Sequence, residues 1–494
     1  MHSGRSRPVI ENNHGEIQMT DHDKNKKCDI GLIGLGVMGR NFAKNMADHD
    51  FSVAGYDRDK EKNQALMSEK TKQQEIRAAH DLKEFIGLLS RPRSVMLLVP
   101  AGDPVDAVID ELLLYLEPGD LIIDSGNSRF TDTNRRIRSM EDKGFQYLGM
   151  GMSGGESGAR RGPSLMPGGT RKGYERIAKI LEASAARVDN DPCVAYLGPG
   201  SSGHYVKMVH NGIEYAVMQL ISETYDLMKQ GLQMKPEELN AVFDRMNQEE
   251  LNSYLIEITA DIFLQKDEKT GKPLIDVILD EAKQKGTGEW TAWDALDLQV
   301  PTFNIDIAVM MRDMSGYKTL REKASQALKG PKPLFEGEKD AMVRRIKNAL
   351  YAAVIIAYAQ GMALLGQASE RYEYGLNLET VARIWRGGCI IRASLLEAIR
   401  FAYQSNPQLE NMLLDDQLGR AVVDREEDLR YIVCTGSAMG LPIPGLMMAL
   451  SYFDALRSSR LPANLIMAQR DYFGAHTYAR VDAEGTFHTK WGKQ

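Results

Sequence analysis

The chain has 494 residues, of which 43% are hydrophobic and 26% are charged, and its formal net charge is −7. This composition is ordinary for globular proteins, so it argues against a disordered chain, a collagen and a coiled-coil rod. Because proteins that coat nucleic acid or an anionic membrane are usually basic, we expect neither a nucleic-acid partner nor a membrane partner.

The cysteines and the apolar runs favour a cytoplasmic protein. The four cysteines are far apart and form no C-x-x-C pair, which argues against a zinc ribbon or a disulfide scaffold and is typical of a reducing compartment. No apolar run reaches about 18 residues without polar interruption, so no membrane span is predicted. Residues 1–27 are polar and lack the apolar stretch of a signal peptide. We predict a flexible lead-in there, with Met19 as an alternative start.

Residues 28–200 predict a Rossmann-like α/β domain. Short apolar runs alternate there with polar, helix-like stretches, as in a mostly parallel sheet wound by helices. The predicted strands are the runs at 28–34, 52–57, 94–99, 120–126, 145–150 and 193–198.

The first predicted strand leads into a glycine-rich turn that is typical of dinucleotide binding. The turn precedes a predicted helix at about 38–49 and reads Gly34-Leu35-Gly36-Val37-Met38-Gly39. In this pattern the first glycine makes the tight turn, the second lets the backbone approach a pyrophosphate, and the third lets helix and strand pack closely. The helix N-terminus then offers free N–H groups to the phosphates.

The end of the second predicted strand bears on the choice between NAD and NADP. Asp57 lies about 20 residues after the glycine turn, where a carboxylate hydrogen-bonds the ribose hydroxyls of NAD and would repel the extra phosphate of NADP. Arg58 follows at once and could pair with that phosphate. These two residues leave the cofactor open.

Two later turns are candidate ligand sites. A glycine-rich loop at 152–158 follows the predicted strand 145–150, and its N–H groups and the Ser153 hydroxyl could bind an oxyanion, although the segment also fits a flexible turn. The segment 124–128 ends another predicted strand, at the edge where ligands of open α/β sheets usually sit.

Residues 201–458 predict an all-helical domain, because apolar residues recur there at three- and four-residue spacing. Near its start, Lys207, His210, Asn211 and Glu214 share one helix face: Lys207 and Asn211 differ by roughly 40° around the axis, and Lys207 and Glu214 by roughly 20°. Such a stripe could hold a hydroxyl-rich substrate and move protons, but it also fits a solvated face.

The C-terminal segment 459–494 combines aromatic residues with arginine and histidine. A tail this apolar would not be left in water, so we expect it to dock on its own body or on a partner subunit.

Six segments resemble, in order, those of the 6-phosphogluconate dehydrogenase family. They read GLIGLGVMGRN, DSGNS, GMSGGESGARRGPSLMPGG, HYVKMVHNGIEY, KGTGEWT and LPANLIMAQRDYFGAHTY. The resemblance implies oxidative decarboxylation of 6-phospho-D-gluconate to D-ribulose 5-phosphate and CO2, with reduction of NADP or NAD, in the pentose phosphate pathway. It also implies a homodimer whose tails are exchanged between subunits, and a reaction that needs no metal.

The resemblance assigns roles to individual positions. The general base falls on Lys207 and the general acid on Glu214. Substrate contacts fall on Asn127, Ser153, Gly154, Gly155, His210, Asn211, Tyr215, Lys285, Thr287 and Arg312, joined by the partner subunit's Arg470 and the partner subunit's His476. Cofactor contacts fall on Gly34, Leu35, Gly36, Val37, Met38, Gly39, Asp57, Arg58, Asp59, Val99, Pro100, Ala101 and Asn127.

Three departures from the family pattern concern the cofactor. Gly36 stands where the family commonly has alanine, Asp57-Arg58-Asp59 replaces the usual Asn-Arg-Thr, and Pro100 stands where lysine is frequent. They keep NAD as an alternative to the NADP that the resemblance implies. Two other functions remain as alternatives: a β-hydroxyacid dehydrogenase that does not decarboxylate, and a catalytically silent cofactor-binding sensor.

Overall fold

The computed structural model describes residues 26–71 and 73–492, so all but the last two residues of the predicted lead-in lie outside the described residues. The N-terminal part of the chain contains a seven-stranded sheet, whose strands have the order β3-β2-β1-β4-β5-β6-β7. All neighbours pair in parallel except β6 and β7, which are antiparallel. The strands are β1 Ile30–Ile33, β2 Val53–Tyr56, β3 Ile76–Ala78, β4 Ser94–Leu97, β5 Leu121–Asp124, β6 Gln146–Ser153 and β7 Ser164–Gly169.

Helices cover the sheet, which confirms the predicted Rossmann-like fold. Its first six strands have the order typical of dinucleotide-binding folds, in which ligands bind where the strand order reverses, here between β1 and β4. The helices of this part are α1 Val37–Asp48, α2 Lys60–Glu69, α3 Leu82–Gly87, α4 Asp103–Leu112, α5 Phe130–Glu141, α6 Gly155–Arg161 and α7 Arg171–Ser184.

The strand predicted at 193–198 was wrong. That segment runs beside β7 as irregular chain, with one isolated bridge between Leu165 and Val194. The partner strand β7 was missed because it contains Pro167 and two glycines, which are depleted in strands and tolerated mainly at an edge. A short hairpin, β8 Arg187–Val188 with β9 Asp191–Pro192, precedes the segment.

The second half of the chain is helical, as predicted. Its helices are α8 Ser202–Asp226, α9 Pro236–Asn247, α10 Tyr254–Leu264, α11 Thr287–Asp297, α12 Phe303–Gly316, α13 Lys318–Ala327, α14 Lys339–Arg371, α15 Leu378–Trp385, α16 Leu395–Ser405, α17 Asp416–Val423, α18 Glu426–Ala438, α19 Pro444–Leu456 and α20 Ala463–Gly474. A π-helical segment, Leu227–Gly231, continues α8, and single 3-10 turns lie at Leu274–Asp276 and Met412–Leu414.

Helix α14 is the central helix of this half. By length and composition it could cross a membrane, but 83% of its most apolar window is buried inside the protein. The core helix of a globular domain passes the same test. Helix α14 packs against α8, whose apolar residues belong to the same core.

Helix α8 begins directly on the sheet because glycines remove the side chains that would keep it away. A methyl group at Gly203 would lie 2.2 Å from the carbonyl oxygen of Met166 and 2.3 Å from that of Gly149. One turn later, a methyl group at Gly151 of β6 would lie 2.3 Å from Cβ of Lys207. The first turns of α8 are therefore seated against β6 and β7.

The other end of α8 is held by the buried carboxylate of Glu223. Its two oxygens accept hydrogen bonds from the backbone N–H groups of Gly445 (2.7 Å) and Leu446 (2.9 Å), at the N-terminus of α19. A third bond comes from Gln219 (2.9 Å). A carboxylate at this place satisfies N–H groups that a helix leaves free and interacts favourably with the helix dipole.

We expect Glu223→Ala to lower the free energy of unfolding by about 1–3 kcal/mol, because two buried N–H groups lose their acceptor. Chemical denaturation followed by circular dichroism measures this change. Ser222→Ala, at the exposed neighbouring position, serves as the control and should stay within about 0.5 kcal/mol. Equal stabilities of the two variants would contradict a structural role for Glu223.

Candidate active site

The glycine turn has the geometry that a bound pyrophosphate requires. Gly34 has φ of +97°, and a methyl group there would lie 2.4 Å from the carbonyl oxygen of Leu98. A methyl group at Gly39 would lie 1.9 Å from the carbonyl oxygen of Gly34, so only glycine lets α1 pack this closely. At Gly36 no atom lies within 4 Å of such a methyl group, which leaves the α1 N-terminus open to a ligand.

A cleft beside the turn is large enough for part of a nucleotide. Its volume is about 160 Å³, and its walls are Ile33, Gly34, Tyr56, Asp57, Arg58, Leu82, Val99, Pro100, Pro104, Val108 and Glu111. Four predicted cofactor residues other than the glycine turn thus line one cavity: Asp57, Arg58, Val99 and Pro100. Ala101 follows them in the turn between β4 and α4.

Asp57 holds the glycine turn in place. Its Oδ2 accepts a hydrogen bond from the N–H of Leu35 (2.8 Å), and its Oδ1 accepts one from the N–H of Asp59 (2.9 Å). Asp59 in turn caps the N-terminus of α2. Arg58 is exposed and pairs across the cleft with Glu111 at 2.5 Å. The carboxylate therefore organises the backbone, while the guanidinium lies at the surface, where it can reach a ligand.

The polar stripe on α8 is buried, so its interpretation as a solvated face was wrong. The exposed fractions are 6% for Lys207, 0% for His210 and 9% for Asn211. Glu214 is more accessible, with 21% of its side chain exposed. Because buried polar groups need hydrogen-bonding partners, a buried stripe of this kind indicates a ligand site or an internal hydrogen-bond network.

Hydrogen bonds link this stripe to β6 on one side and α11 on the other. His210 Nε2 lies 3.3 Å from Oγ of Ser153, and His210 Nδ1 lies 3.0 Å from Oδ1 of Asn211. Asn211 Nδ2 donates to Oγ1 of Thr287 (3.2 Å). Four predicted substrate residues thus form one chain of contacts across the site, beside Lys207.

Burial displaces the pKa values of the acid and the base in opposite directions. Desolvation lowers the pKa of the Lys207 ammonium, against the charge of Glu214, which acts to raise it. Desolvation also raises the pKa of Glu214, against the charges of Lys207 and Arg312. Burial lowers the pKa of His210 well below its ordinary value, so this ring is neutral and serves as a hydrogen-bonding group. Both shifts favour the uncharged form of each group, the neutral amine of Lys207 and the protonated acid of Glu214.

Two predicted phosphate-binding cations, Arg312 and Lys285, lie on neighbouring segments, and the charge of Arg312 acts on Glu214. Arg312 of α12 stacks on the ring of Tyr215, 3.5 Å from its centroid, and donates to the carbonyl oxygen of Lys283 (3.3 Å). This contact brings the segment before α11, which carries the exposed Lys285, next to α12. Asn127 is exposed and follows the carboxyl end of β5.

The glycine-rich segment 152–158 is not a free loop. Strand β6 continues to Ser153 and α6 begins at Gly155, so only one residue separates the two elements. Gly154 and Gly155 have φ of +125° and +60°. The prediction of a loop was wrong because β6 is longer than its apolar part.

A wall of the site was missed by the sequence analysis. After α15, the N–H of Ile390 donates to Oγ of Ser153 (3.4 Å), and a methyl group at Gly154 would lie 2.5 Å from the carbonyl oxygen of Gly388. Burial raises the pKa of the Cys389 thiol to about 12, so the thiol stays protonated, and it donates a hydrogen bond to the carbonyl oxygen of Trp385 (3.0 Å). The signal was the paired glycine before Cys389 in an otherwise helical stretch.

The tail residues are not brought to this site within one chain. Arg470 and His476 are exposed and contact Met467 and Phe473 of the same segment. Helix α20 buries only Asp471, which accepts bonds from the backbone of Thr477 and from other groups of the tail: His488, Thr489 and Trp491. The tail is thus folded on itself while its apolar residues, such as Phe473, remain exposed.

Within residues 26–71 and 73–492, no group of three or more histidine, cysteine, aspartate or glutamate side chains could hold a metal ion.

Comparison with known proteins agrees with this geometry. The family model for the NAD binding domain of 6-phosphogluconate dehydrogenase matches residues 29–198, and the model for 6-phosphogluconate dehydrogenase, C-terminal domain, matches residues 203–491. The decarboxylating 6-phosphogluconate dehydrogenase of Synechococcus elongatus is 50% identical over 94% of this chain and 99% of its own length. The NADP(+)-dependent, decarboxylating enzyme of Bacillus subtilis is 49% identical over 94% of this chain and 100% of its own length.

A solved structure extends the likeness to the fold. The 6-phosphogluconate dehydrogenase of Plasmodium falciparum, studied in its apo form, with its cofactor NADP+ and with its substrate 6-phosphogluconate, has 45% identity and a TM-score of 0.91. The alignment covers 94% of this chain and 100% of that chain. The chain therefore belongs to the 6-phosphogluconate dehydrogenase family.

Proposed function

We propose that the chain oxidises 6-phospho-D-gluconate at C3 and releases CO2 and D-ribulose 5-phosphate, with NADP as the cofactor. Family membership makes it a decarboxylating oxidoreductase of the pentose phosphate pathway. The observation that carries the residue assignment is on α8, where a buried lysine and a half-buried glutamate share one face and have pKa values displaced toward each other. Groups displaced in this way are typical of acid–base pairs.

In the proposed mechanism, neutral Lys207 accepts the proton of the C3 hydroxyl. The nicotinamide cofactor, when bound, takes up the hydride from C3. The resulting β-keto acid loses CO2, and the Lys207 ammonium stabilises the negative charge that develops on the oxygen at C3. Protonated Glu214 then gives its proton to C2 of the resulting enediolate, the carbon that becomes C1 of ribulose 5-phosphate, which yields the ketose. Ser153, His210 and Asn211 hold the hydroxyl groups and carboxylate of the substrate between these two groups.

The residues of the cofactor cleft favour NADP over the NAD alternative. Both oxygens of Asp57 already accept backbone hydrogen bonds, so this carboxylate has a structural role that needs no ribose. Arg58 lies exposed at the mouth of the cleft and can exchange Glu111 for a phosphate dianion. The glycine turn would hold the pyrophosphate on the N-terminus of α1.

Initial rates with 6-phosphogluconate, measured in parallel with NADP and with NAD, test the proposed function. We expect turnover with release of one CO2 per cofactor reduced, and a higher kcat/KM with NADP. Cofactor reduction without CO2 would instead support the β-hydroxyacid dehydrogenase, and binding without turnover would support the silent sensor. Family membership and the intact α8 stripe do not favour these two alternatives.

We further propose a cytoplasmic homodimer in which residues 201–458 bind substrate and form the subunit interface, and residues 459–494 dock on the partner. Exposed apolar side chains on the tail support this assignment, since the described residues of their own chain leave each of them more than half exposed: Leu465, Ile466, Tyr472 and Phe473. The partner subunit's Arg470 and the partner subunit's His476 would then complete the phosphate site beside Lys285 and Arg312.

We expect Arg470→Ala to raise the KM for 6-phosphogluconate by about 10–100-fold with a smaller change in kcat, because a charge-assisted contact to phosphate is lost. Arg480→Ala, also in the tail, where Arg480 pairs with Asp482 and lies over the ring of Phe487, is the matched control and should leave KM unchanged. Hybrid dimers made by co-refolding Arg470→Ala with Lys207→Met should show the wild-type KM, since one site then has both groups. Hybrids that keep the raised KM of Arg470→Ala would contradict tail exchange.

A further inference from the structure

Arg136 is a fully buried cation on α5, and its guanidinium lies beside the turns that follow β4 and β5. It lies on the inner face of α5, and 2% of the residue is exposed. A guanidinium has five N–H donors, and here each of the five hydrogen bonds that Arg136 makes goes to a different acceptor atom. The acceptors are both carboxylate oxygens of Asp106 (2.9 and 2.9 Å), the carbonyl oxygen of Gly102 (3.0 Å), Oδ2 of Asp124 (3.3 Å) and Oγ of Ser128 (3.3 Å).

These acceptors belong to two different turns. Gly102 and Asp106 lie in the turn after β4 and in the start of α4, directly after the predicted cofactor residues 99–101. Asp124 and Ser128 flank the turn after β5 that carries Asn127, and Asp124 also accepts bonds from the N–H of Gly126 (3.1 Å) and the hydroxyl of Ser128 (2.7 Å).

The two turns touch each other as well. A methyl group at Gly126 would lie 3.1 Å from the carbonyl oxygen of Val99, so their backbones are in contact. Helix α5, which carries Arg136, also reaches the start of α8 through a 2.7 Å bond between Thr133 and His204. One short helix therefore sets the relative positions of both turns and of the helix that carries Lys207.

We propose that Arg136 is a positioning residue that fixes the 99–102 and 124–128 turns in one geometry, and thereby sets where the nicotinamide half of the cofactor lies relative to Lys207. This inference rests on the proposed function for the identity of the ligand. The two aspartates alone would repel each other across the gap between the turns, and the planar fork of arginine joins them with directed bonds. Lysine has three donors on one atom and cannot span both turns.

The test compares Arg136→Lys and Asp106→Asn with Arg135→Gln. Arg135 also pairs with Asp106 (2.8 Å), but its side chain is 57% exposed and this bond reaches the first turn of α4 without joining it to the turn after β5. The readouts are the Kd for NADPH from fluorescence titration, the Kd for 6-phosphogluconate without cofactor, kcat, and the melting temperature. Asp106 is 31% exposed, so its amide variant keeps the fold if Arg136→Lys proves too unstable to purify.

For Arg136→Lys we expect the Kd for NADPH to rise about ten-fold and kcat to fall by about 10–100-fold, since small displacements of reacting groups are costly. Asp106→Asn should change both in the same direction by less, and Arg135→Gln should change neither. The Kd for 6-phosphogluconate should rise less than the Kd for NADPH in all three variants, because Asn127 is the one predicted substrate contact that lies on these two turns. Lower melting temperatures with an unchanged Kd for NADPH and unchanged kcat would overturn the proposal. The titration needs no turnover, so a wild-type protein inactive with 6-phosphogluconate would contradict the proposed function alone.

Discussion

Replacing Lys207 with methionine is expected to lower kcat by about 10³–10⁴-fold while the protein stays folded and binds NADPH normally. Methionine keeps most of the buried chain of lysine but cannot accept the C3 proton or stabilise the oxygen charge after it. The side chain lies against Gly151 in a buried place, so an unbranched apolar substitute fits there. Steady-state kinetics, NADPH titration and thermal unfolding measure the three properties.

The pH profile gives a second check on Lys207. Burial lowers the pKa of its ammonium, and only the neutral amine is a base, so kcat/KM of the wild type should rise with pH through that lowered pKa. The residual activity of Lys207→Met should lack this limb. Lys172→Met, at an exposed position on α7, is the control and should keep the wild-type profile. Residual turnover within ten-fold of the wild type, or an unchanged acidic limb, would remove Lys207 from the mechanism.

The second large effect is expected for Glu214→Gln, which should lower kcat by about 10²–10³-fold because the amide cannot donate a proton to the carbon that becomes C1 of ribulose 5-phosphate. Burial raises the pKa of the wild-type carboxyl, and the acid acts only when protonated. Wild-type activity should therefore fall as pH rises through that raised pKa, and this alkaline limb should be absent in the variant. Rate profiles from pH 5 to 10 measure both effects.

Product analysis in D2O separates Glu214 from a residue that only binds substrate. If Glu214 delivers the proton to one face of the enediol, the wild type should give a single deuterated diastereomer at C1 of ribulose 5-phosphate. Glu214→Gln should give a mixture, since water then supplies the proton. Glu237→Gln, at an exposed position on α9, should behave as the wild type. A single diastereomer from Glu214→Gln would contradict its role as the acid.

The parts of the site that the sequence predicted are those held by local geometry. The spacing of Gly34, Gly36 and Gly39 is the pattern of a dinucleotide-binding turn, and the spacing of the polar residues on α8 is the period of a helix. Neither pattern reveals burial. The stripe fits a surface equally well until Thr287 of α11 is seen to bond Asn211 and Trp385 of α15 to pack on His210.

The parts that the sequence did not predict depend on contacts between distant segments. The wall formed by Gly388 and Ile390 lies more than 200 positions from the Ser153 that it contacts, and no local pattern links the two. Arg136 resembles its neighbour Arg135 in the sequence, and only the packing of α5 makes one buried and the other exposed. Strand β7 was missed because its proline and glycines suit an edge, a position that composition alone does not show.

The seating of α8 on glycines has a consequence for how ligands come and go. Many two-domain enzymes open and close around their ligands by rotation about a hinge. In this chain the two parts are joined by α8, and its first turn, at Gly203, lies against the backbone of β6 and β7. A large rotation of the helical half against the sheet would have to break these backbone contacts, so we expect substrate and cofactor to enter and leave without one.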